Sequence, residues 1–198
     1  SMNIVGATGS HRVTANTIIN SGGGICLQLD NITSQAADRT RVVNNMLVHT
    51  AIGQATVATP CDLRYCNYVD VYHNSMITSG ARSDVTFTMG GNLRVKGNIF
   101  STTTGAALNV QGTTALTCDY NMYKLTGGYV ALVGTIYRTL GMWQAVGGQD
   151  LNGLQADPLF VSNTDLHLTN ASPAQNRVPL NFNVNEDIDG GGRPMPIN

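Results

Sequence analysis

Charge is the scarcest property of this sequence. Asp, Glu, Lys and Arg make up only 12% of the 198 residues, well below the ~25% that is usual in soluble domains. The net charge is −1, so no field of one sign favours nucleic acid or an anionic membrane surface as a partner. No stretch approaches the ~20 consecutive apolar residues of a membrane-spanning helix. We therefore expect neither nucleic-acid binding nor membrane insertion.

Cysteine is also scarce, with four residues in the chain. They are too few and too scattered for a disulfide scaffold, and none has the Cys-x-x-Cys spacing of a zinc site. Cys61 and Cys66 lie close together in the sequence. The sequence leaves open whether they form a local disulfide or stay free thiols. Cys118 occupies an apolar position of the pattern described next, which predicts a buried thiol.

A motif built around asparagine recurs along the chain. A small apolar residue lies three positions before each asparagine, and a larger apolar residue lies two positions after it. The asparagines are Asn16, Asn45, Asn74, Asn98 and Asn121. Their intervals of 29, 29, 24 and 23 residues are typical of a solenoid built from stacked repeats.

Each repeat also contains a short stretch in which apolar and polar residues alternate, about ten residues after the asparagine. The stretches are residues 25–29, 55–57, 85–89, 106–110 and 129–133. Such alternation, in segments rich in β-branched side chains, predicts strands. The repeats are too short to hold a helix between successive strands, so equivalent strands are predicted to stack in parallel, coil upon coil.

Stacking places equivalent side chains in columns inside the coil. The residues three before and two after the asparagine predict two buried columns: Val13, Val42, Val71, Val95 and Cys118, then Ile18, Leu47, Met76, Phe100 and Tyr123. The asparagines are predicted to occupy tight left-handed corners and to stack as a ladder of hydrogen-bonded amides. We prefer this structural explanation to ligand binding, because a corner needs these properties without any ligand.

The pattern changes after residue 133. Thr139 as an N-cap, apolar spacing within residues 140–146 and a following Gly-Gly stop predict one short helix. Beyond it, residues 154–161 and 165–169 are predicted strands. Together these elements are predicted to close the end of the coil, which otherwise exposes unpaired strand edges.

The rest of the chain is rich in proline and glycine. From Ser172 onward it is predicted to be irregular and to lie over the last coil. We expect a single domain over residues 1–198, with repeating coils at residues 11–133 and the last coil and cap at residues 134–198. No matching cap precedes the first coil, so we expect the chain to be part of a longer one.

The asparagine-marked coils resemble the right-handed parallel β-helix of the pectate-lyase-like superfamily. The tail resembles the carboxy-terminal coil and cap of many secreted bacterial β-helix proteins, at residues 143–144, 148–152, 156–160, 165–168, 172–174, 187–190 and 193–194. With the repeats, this predicts an all-β, right-handed parallel β-helix of about six to seven coils, whose irregular cap contains one short helix. The resemblance also implies an extracellular or cell-surface protein that binds or processes polysaccharide or serves as an adhesin.

The catalytic patterns of this superfamily are incomplete here. Of the polygalacturonase-like set only Asn163-Thr164-Asp165 is present, and it lies in the cap without the other motifs. The arginine motif of pectate lyases and the Asp-Pro-His-Glu motif of epimerases are missing. Whether the chain is an enzyme is therefore left open by its sequence.

Charged side chains alternate with core residues on the asparagine-marked strands and point outward by parity. Stacking predicts two outward rows with one corner residue: Arg41-Asp70-Arg94, Tyr72-Lys96-Asp119 and His73. Uronate lyases of this fold pair a cationic base with an arginine or metal that neutralises the sugar carboxylate, so the resemblance implies a catalytic set of Lys96, Arg94 and Asp119. The predicted substrate-binding residues are Arg41, Asp70, Tyr72 and His73. The alternative is a solvated face on which opposite charges pair between coils.

Asp187 and Asp189 are candidate calcium ligands, because carboxylate oxygens suit this ion. The segment lacks the other spaced ligands of a recognised calcium loop, and an Asp-Gly turn needs no metal. The sequence therefore leaves two alternatives open: calcium bound at these two residues, or no cofactor.

Three functions remain open. The preferred one is a carbohydrate-binding or adhesive segment of a secreted bacterial protein, a monomer whose partner is polysaccharide or a cell-surface glycan. The alternative is a polysaccharide lyase or related enzyme acting on uronic-acid-containing polysaccharide. A structural spacer is the third. Tyr72 beside charged groups suits a sugar ring in either of the first two functions.

Overall fold

The computed structural model describes residues 1–50, 58–79, 85–179 and 182–193 and forms a parallel β-helix with one short helix. Its elements, in chain order, are β1 (Met2–Val5), β2 (Arg12–Thr14), β3 (Thr17–Asn20), β4 (Gly24–Asp30), β5 (Thr40–Val43), β6 (Met46–His49), β7 (Ala58–Arg64), β8 (Val69–Tyr72), β9 (Ser75–Thr78), β10 (Val85–Thr88), β11 (Gly91–Lys96), β12 (Ile99–Thr102), β13 (Ala106–Gln111), β14 (Thr114–Asp119), β15 (Met122–Leu125), β16 (Tyr129–Val133), β17 (Thr135–Tyr137), α1 (Leu140–Gln144) and β18 (Leu154–Gln155).

Three sheets form the walls of the coil. Sheet A has the order β1-β4-β7-β10-β13-β16-β17, sheet B the order β14-β11-β8-β5-β2, and sheet C the order β18-β15-β12-β9-β6-β3. Every neighbouring pair is parallel except β16 and β17, which are antiparallel. The six parallel strands of sheet A mark six coils in the described residues, which agrees with the predicted six to seven. The predicted strand at residues 55–57 lies outside the described residues.

The two predicted columns of apolar side chains form the core. In-register pairing carries the first column from Val13 to Cys118 and the second from Ile18 to Tyr123. All but Ile18, which is partly buried, belong to the buried core. Each fully buried residue of leucine size contributes about 1.5–3 kcal/mol, so the stacked columns explain why the repeats fold.

The corner between sheets B and C turns at the residue before each ladder asparagine. That residue has a left-handed backbone before all five asparagines, with φ of 55° at Ala15, 56° at Asn44, 53° at His73, 64° at Gly97 and 58° at Tyr120. The prediction that the asparagines take this conformation was therefore wrong by one position. The ladder asparagine follows the bend, where its side chain can reach the coils on both sides.

Helix α1 and the loop after it replace the sheet B strand in the last coil. Thr139 is the N-cap, as predicted, and its hydroxyl accepts a hydrogen bond from the Met142 amide at 3.3 Å. Leu140 and Trp143 are buried against the end of the core. The Gln149 side chain accepts from the Cys118 amide at 2.8 Å and donates to the Leu116 carbonyl at 3.1 Å. An amide side chain thus satisfies the open edge of β14.

The two strands predicted after the helix are much shorter than expected. Only Leu154 and Gln155 of the first are in a strand, and the second contributes an isolated antiparallel bridge between Phe160 and Leu168. Pro158 interrupts the first segment because proline has no amide hydrogen to donate to a ladder. The Leu159 amide bonds to the Asp157 carboxylate at 3.0 Å, which makes a turn there.

All four cysteines are free and buried. Cys118 lies in the first core column, as predicted, and Cys61 and Cys66 are not bridged. Burial raises the pKa of Cys66 to about 11, so its thiol stays protonated and inert at neutral pH. In the part of the chain that the structure describes, no helix is long and apolar enough to cross a membrane.

Candidate functional site

A ladder of amides runs along the corner between sheets B and C and forms the floor of the candidate site. Each Nδ2 donates to Oδ1 of the next asparagine, at 2.9 Å from Asn16, 2.8 Å from Asn45, 3.0 Å from Asn74 and 3.0 Å from Asn98. Each of these Oδ1 atoms also accepts the backbone amide of the preceding asparagine. The predicted ladder is confirmed, and these bonds give the asparagines a structural role.

The ladder ends on a carboxylate that was not predicted. Asp150 accepts from Asn121 Nδ2 at 2.8 Å, from the Tyr123 hydroxyl at 2.6 Å and from Trp143 Nε1 at 3.2 Å. It is 0% exposed, and burial raises its pKa although these donors lower it. Its spacing of 29 residues from Asn121 equals the first two repeat intervals and could have revealed it.

The carboxy-terminal tail, defined here as residues 182–193, returns over this corner. The Phe182 ring lies on the outer face of sheet B, with its centroid 5.3 Å from that of Tyr72, 6.0 Å from His73 and 6.0 Å from Tyr120. The ammonium of Lys96 lies 5.3 Å from the centre of the same ring. Phe182 therefore occupies the surface on which the sequence predicted a sugar.

Polar contacts hold the tail backbone. Arg41 donates to the carbonyls of Asn183 and Phe182, each at 3.1 Å. Asn44 donates to the Glu186 carbonyl at 2.7 Å and accepts from Arg193 Nη2 at 2.8 Å. Arg41 and Asn44 thus secure the tail at its beginning, middle and end.

Apolar contacts explain why several outward residues of sheets B and C are hydrophobic. Val184 packs with Val43 and Tyr72 on sheet B. Ile188 packs on sheet C with the cluster of Met46, Val48, Ile77 and Leu166. Outward apolar residues at successive coils are the sequence signal that could have predicted a covering segment.

The two predicted outward rows are present in register. Arg41 pairs with Asp70 and Asp70 with Arg94, and Lys96 lies between Tyr72 and Asp119. Four of the seven predicted site residues contact the tail: Arg41, Tyr72, His73 and Lys96.

The other three residues of these rows make no hydrogen bond, ion pair or ring contact with the tail among the described residues. Asp70 is buried and bonds to Arg39 instead of to the arginines of its own row. Asp119 accepts from the backbone and side chain of Asn152, and Arg94 is exposed. The catalytic and substrate-binding roles of all seven residues stay predictions.

Two of these residues have strongly shifted pKa values. Burial, with the nearby charge of Arg193 added, lowers the pKa of His73 to about 3. Burial, reinforced by the charge of Asp70, raises the pKa of Tyr72 to about 12. Both side chains are therefore neutral between about pH 5 and 9.

A cavity of about 530 Å³ lies between the ladder corner and the segments that return over it. His73, Gly97 and Tyr120 line it on the corner side, and an outward row of sheet C forms a second wall: Met46, Ser75, Ile99, Met122 and Leu154. The outer walls come from residues 166–168, 174–178 and parts of 187–193. We call this space the tail cavity.

The outer walls supply the charged groups of the tail cavity. His167 lies between two carboxylates, with Nε2 3.0 Å from Asp189 Oδ2 and Nδ1 bonded to Asp165 Oδ1. The Asp187 carboxylate accepts the backbone amides of Asp189 at 3.0 Å and Gly191 at 2.7 Å. Arg177, in contrast, is exposed and has no hydrogen-bond or ion-pair partner among the described residues.

The calcium site at Asp187 and Asp189 stays a prediction. Among the described residues, no group of three or more His, Cys, Asp or Glu side chains could hold a metal ion, and calcium also takes backbone and amide oxygens. The backbone bonds to Asp187 fit the other alternative, an Asp-Gly turn that needs no metal.

Comparison with known proteins adds no relative, because no family model, curated protein or solved structure matches the chain. Its fold alone assigns it to the parallel β-helix solenoids.

Proposed function

We propose that the chain is a glycan-binding β-helix of the pectate-lyase-like type, and that the tail cavity holds part of the glycan. The cavity volume of about 530 Å³ carries this proposal, since small-ligand sites measure roughly 300–1,000 Å³. A polysaccharide or a cell-surface glycan is the proposed partner of a monomer. An extracellular or cell-surface location follows from that partner.

The lining of the cavity suits the chemistry of a sugar. Sugar hydroxyls donate and accept hydrogen bonds, and carboxylates, guanidinium and hydroxyl groups at the rim can meet both needs. Arg177, Asp189 and Tyr120 provide such groups. The apolar face of a sugar ring needs a hydrophobic wall, and the sheet C row of Met46, Ile99, Met122 and Leu154 provides one. A mixed apolar and polar lining is typical of small-molecule sites.

A substitution that fills the cavity tests this proposal. Ser75 is half-buried and lines the cavity from sheet C, so Ser75→Trp should block it. We expect the affinity for any glycan found on a glycan array to fall by more than about tenfold, because the bulky side chain takes the place of the ligand. The affinity can be measured by calorimetry.

Ser101→Trp is the matched control. Ser101 is half-buried on sheet C, one coil away in the neighbouring row, and does not line the cavity. Urea unfolding of both variants separates blocked binding from lost folding. An array with no bound glycan, or equal affinity of both variants, contradicts the proposal; the blank array leaves the structural spacer.

A polysaccharide lyase is the second candidate. It is favoured by the neutral imidazole of His73 and the guanidinium of Arg193, which line the same cavity and could take a ring proton and hold a uronate carboxylate. A pKa of about 3, however, makes His73 a weak base, since an efficient base titrates near the working pH.

The predicted base, Lys96, lies on the Phe182 ring and does not line the cavity. The low pKa of His73 and the position of Lys96 outside the cavity favour binding over catalysis. Unsaturated product from a uronic-acid polysaccharide would reverse that order. The absorbance of the new double bond measures it, and His73→Ala shows whether this residue is the base.

A further inference from the structure

A column of polar side chains lies inside the coil, at the end of the sheet C strands. His49 lies two residues after Leu47 of the second core column, so its side chain points to the same inward face. The residues in register with it make up the set that we call the polar column: Asn20, His49, Thr78 and Thr102. In the following coil the same position is occupied by Leu125.

His49 is buried in this column without a hydrogen-bond partner. The residue is 0% exposed, and neither of its ring nitrogens is hydrogen-bonded to a described residue. The hydroxyl of Thr78, which is one coil away and also 0% exposed, is likewise unpaired among the described residues. Unpaired buried polar groups cost free energy, so these two residues make a weak point in the core.

A charged imidazole fits this position much less well than a neutral one. Protonation places a charge and a second N–H donor where no acceptor is in hydrogen-bond contact. Burial accordingly lowers the pKa of His49, although backbone groups of Gly22, Gly24 and His49 itself raise it. The ring therefore holds a proton readily only when it reaches water.

We propose that His49 is an acid-sensitive latch at the end of sheet C. As a neutral imidazole it stays among the core side chains, and the ends of β3, β6 and β9 stay paired. When it takes a proton, the ring turns to water and these strand ends separate. The latch goes beyond glycan binding, because it belongs to the coil and His49 does not line the tail cavity.

No charged side chain among the described residues offsets the proton on the ring. The strands that pair with β6, which are β3 and β9, carry no titratable residue. Across the coil interior, β4 and β7 carry the buried thiols Cys26 and Cys61. Burial raises the pKa of both, to about 11 for Cys26, so they stay neutral. Asp30, Asp62 and Arg64 alternate with core residues and lie on the outer face of sheet A, where Asp62 pairs with Arg64.

The sign of the pH effect follows from the lowered pKa. A histidine whose pKa is lowered in the folded protein contributes its full stability above the ordinary value of about 6.5. That contribution is lost as the pH falls from about 6.5 toward the folded value. The latch should therefore be closed at neutral pH and should open in mildly acidic solution.

Hydrogen exchange at single amides tests the latch. The amides of Thr50 and Ser79 directly follow the polar column and bond to carbonyls of the preceding coil, at 2.9 Å and 3.1 Å. After correction for intrinsic rates, their protection should drop about five- to thirty-fold between about pH 7.5 and pH 5. The Thr126 amide forms the equivalent bond, at 3.1 Å, in the coil where Leu125 replaces the polar residue. Its protection should stay unchanged.

Three variants separate the latch from other effects of acid. His49→Leu should abolish the drop, because leucine takes the inward position without a titratable group. His49→Met serves the same purpose with a more adaptable side chain, should the leucine variant fail to fold. His11→Leu is the matched control. His11 lies before β2 and outside the polar column, so this variant should keep the drop.

Titration of the wild-type imidazole by nuclear magnetic resonance decides the latch without any variant. It also includes any effect of Arg82 and Asp84, which lie outside the described residues. A pKa of His49 at or above about 6.5 overturns the latch. The absence of a drop overturns it too, as does a drop that persists in a folded His49 variant. An equal drop at Thr126 means that the whole coil opens, which also contradicts a local latch. A lowered pKa, with a drop confined to the two amides beside the polar column, is the expected result.

Discussion

The carboxylate of Asp150 ends a column of asparagine amides whose direction explains why a carboxylate lies there. In every bond of the ladder, Nδ2 of one coil donates to Oδ1 of the next coil. The last coil is therefore met by N–H donors, the positive end of the aligned amides. An acceptor without donors of its own suits that end best.

Substitution of Asp150 should be costly in a graded way. Asp150→Ala leaves donors from Asn121, Tyr123 and Trp143 without an acceptor, and we expect a loss of about 3–5 kcal/mol in the free energy of unfolding. Asp150→Asn keeps one acceptor oxygen and removes a buried charge, so it should lose only about 1–2 kcal/mol. Urea unfolding at neutral pH measures both.

The dependence of stability on pH gives the same prediction a second readout. The pKa of Asp150 is raised by burial, so between about 3.9 and the folded value the native state holds more protons than the unfolded state. Stability contributed by this group must fall as the pH rises through that window. The Asp150→Asn variant should lack this fall, and an unchanged pH slope in it would show that another group is responsible.

The prediction of individual residues succeeded where equivalent positions of successive coils hold the same residue type. It failed where the residue type differs from coil to coil. The ladder asparagines follow from their spacing, because stacked corners repeat the same local requirement. Asp150 was missed because it lies at the repeat interval from Asn121 but is an aspartate, whereas the other residues of the column are asparagines. The predicted left-handed position was one residue too late. The residues that have this conformation are of five different types, so the sequence shows no common residue there: Ala15, Asn44, His73, Gly97 and Tyr120.

At the scale of elements, the tail is held by the ring of Phe182, by the packing of Val184 and Ile188, and by hydrogen bonds from Arg41 and with Asn44. Phe182 lies against Tyr72, His73 and Tyr120, and its contacts cover the side chain of Lys96 as well. None of these groups is close to Phe182 in sequence. The docking of the tail is therefore a tertiary contact that no local pattern encodes.

Phe182→Ala should release the tail and leave the coils folded. We expect docking to weaken by about 1–3 kcal/mol, which is the value of burying an aromatic side chain. The pKa of His73, held near 3 mainly by burial, should rise toward the ordinary value of about 6.5. A nuclear magnetic resonance titration of the His73 imidazole measures this shift.

Tyr65→Ala is the control for this experiment, because Tyr65 is an aromatic side chain that is 50% exposed. It should leave the His73 titration unchanged. If Phe182→Ala also leaves it unchanged, then Phe182 does not cause the burial of His73.

Strand prediction was sound in the coils and poor in the cap. In sheets A, B and C, apolar and polar side chains alternate because each pleated strand buries one face. This alternation is a local property of the sequence. In the cap, residues 154–161 show similar residue types, but Pro158 and the turn at Leu159 end the pairing after Gln155. Pairing there depends on the edge offered by β15, which the local pattern does not report.

For the whole molecule, the solenoid is stabilised by contacts between neighbouring coils, so a position in the middle should matter more than the same position at an end. Asn74 is 1% exposed and bonds to the coils on both sides. Asn16 is half-buried and lies in the first coil. Both residues have the same side chain and the same place in the repeat.

Asn74→Ala should therefore cost about 3 kcal/mol, because it leaves the Asn45 donors and neighbouring acceptors unpaired. Asn16→Ala should cost less than about 1 kcal/mol. Thermal and urea unfolding of the two variants give the comparison. Equal losses would mean that stability is not carried from coil to coil through the ladder.

The parallel β-helix, its core columns, its asparagine ladder and the helix of its cap could all be predicted from the sequence. These features repeat at a fixed interval or follow local rules, so each copy of the motif supports the same inference. Three features are visible only in the folded chain: a carboxylate ends the ladder, Phe182 covers the predicted charged surface, and a cavity lies under the tail. These contacts join residues that are far apart in the chain: Arg41 donates to the carbonyl of Phe182 across 141 residues, and no repeat or local periodicity encodes a contact that occurs once.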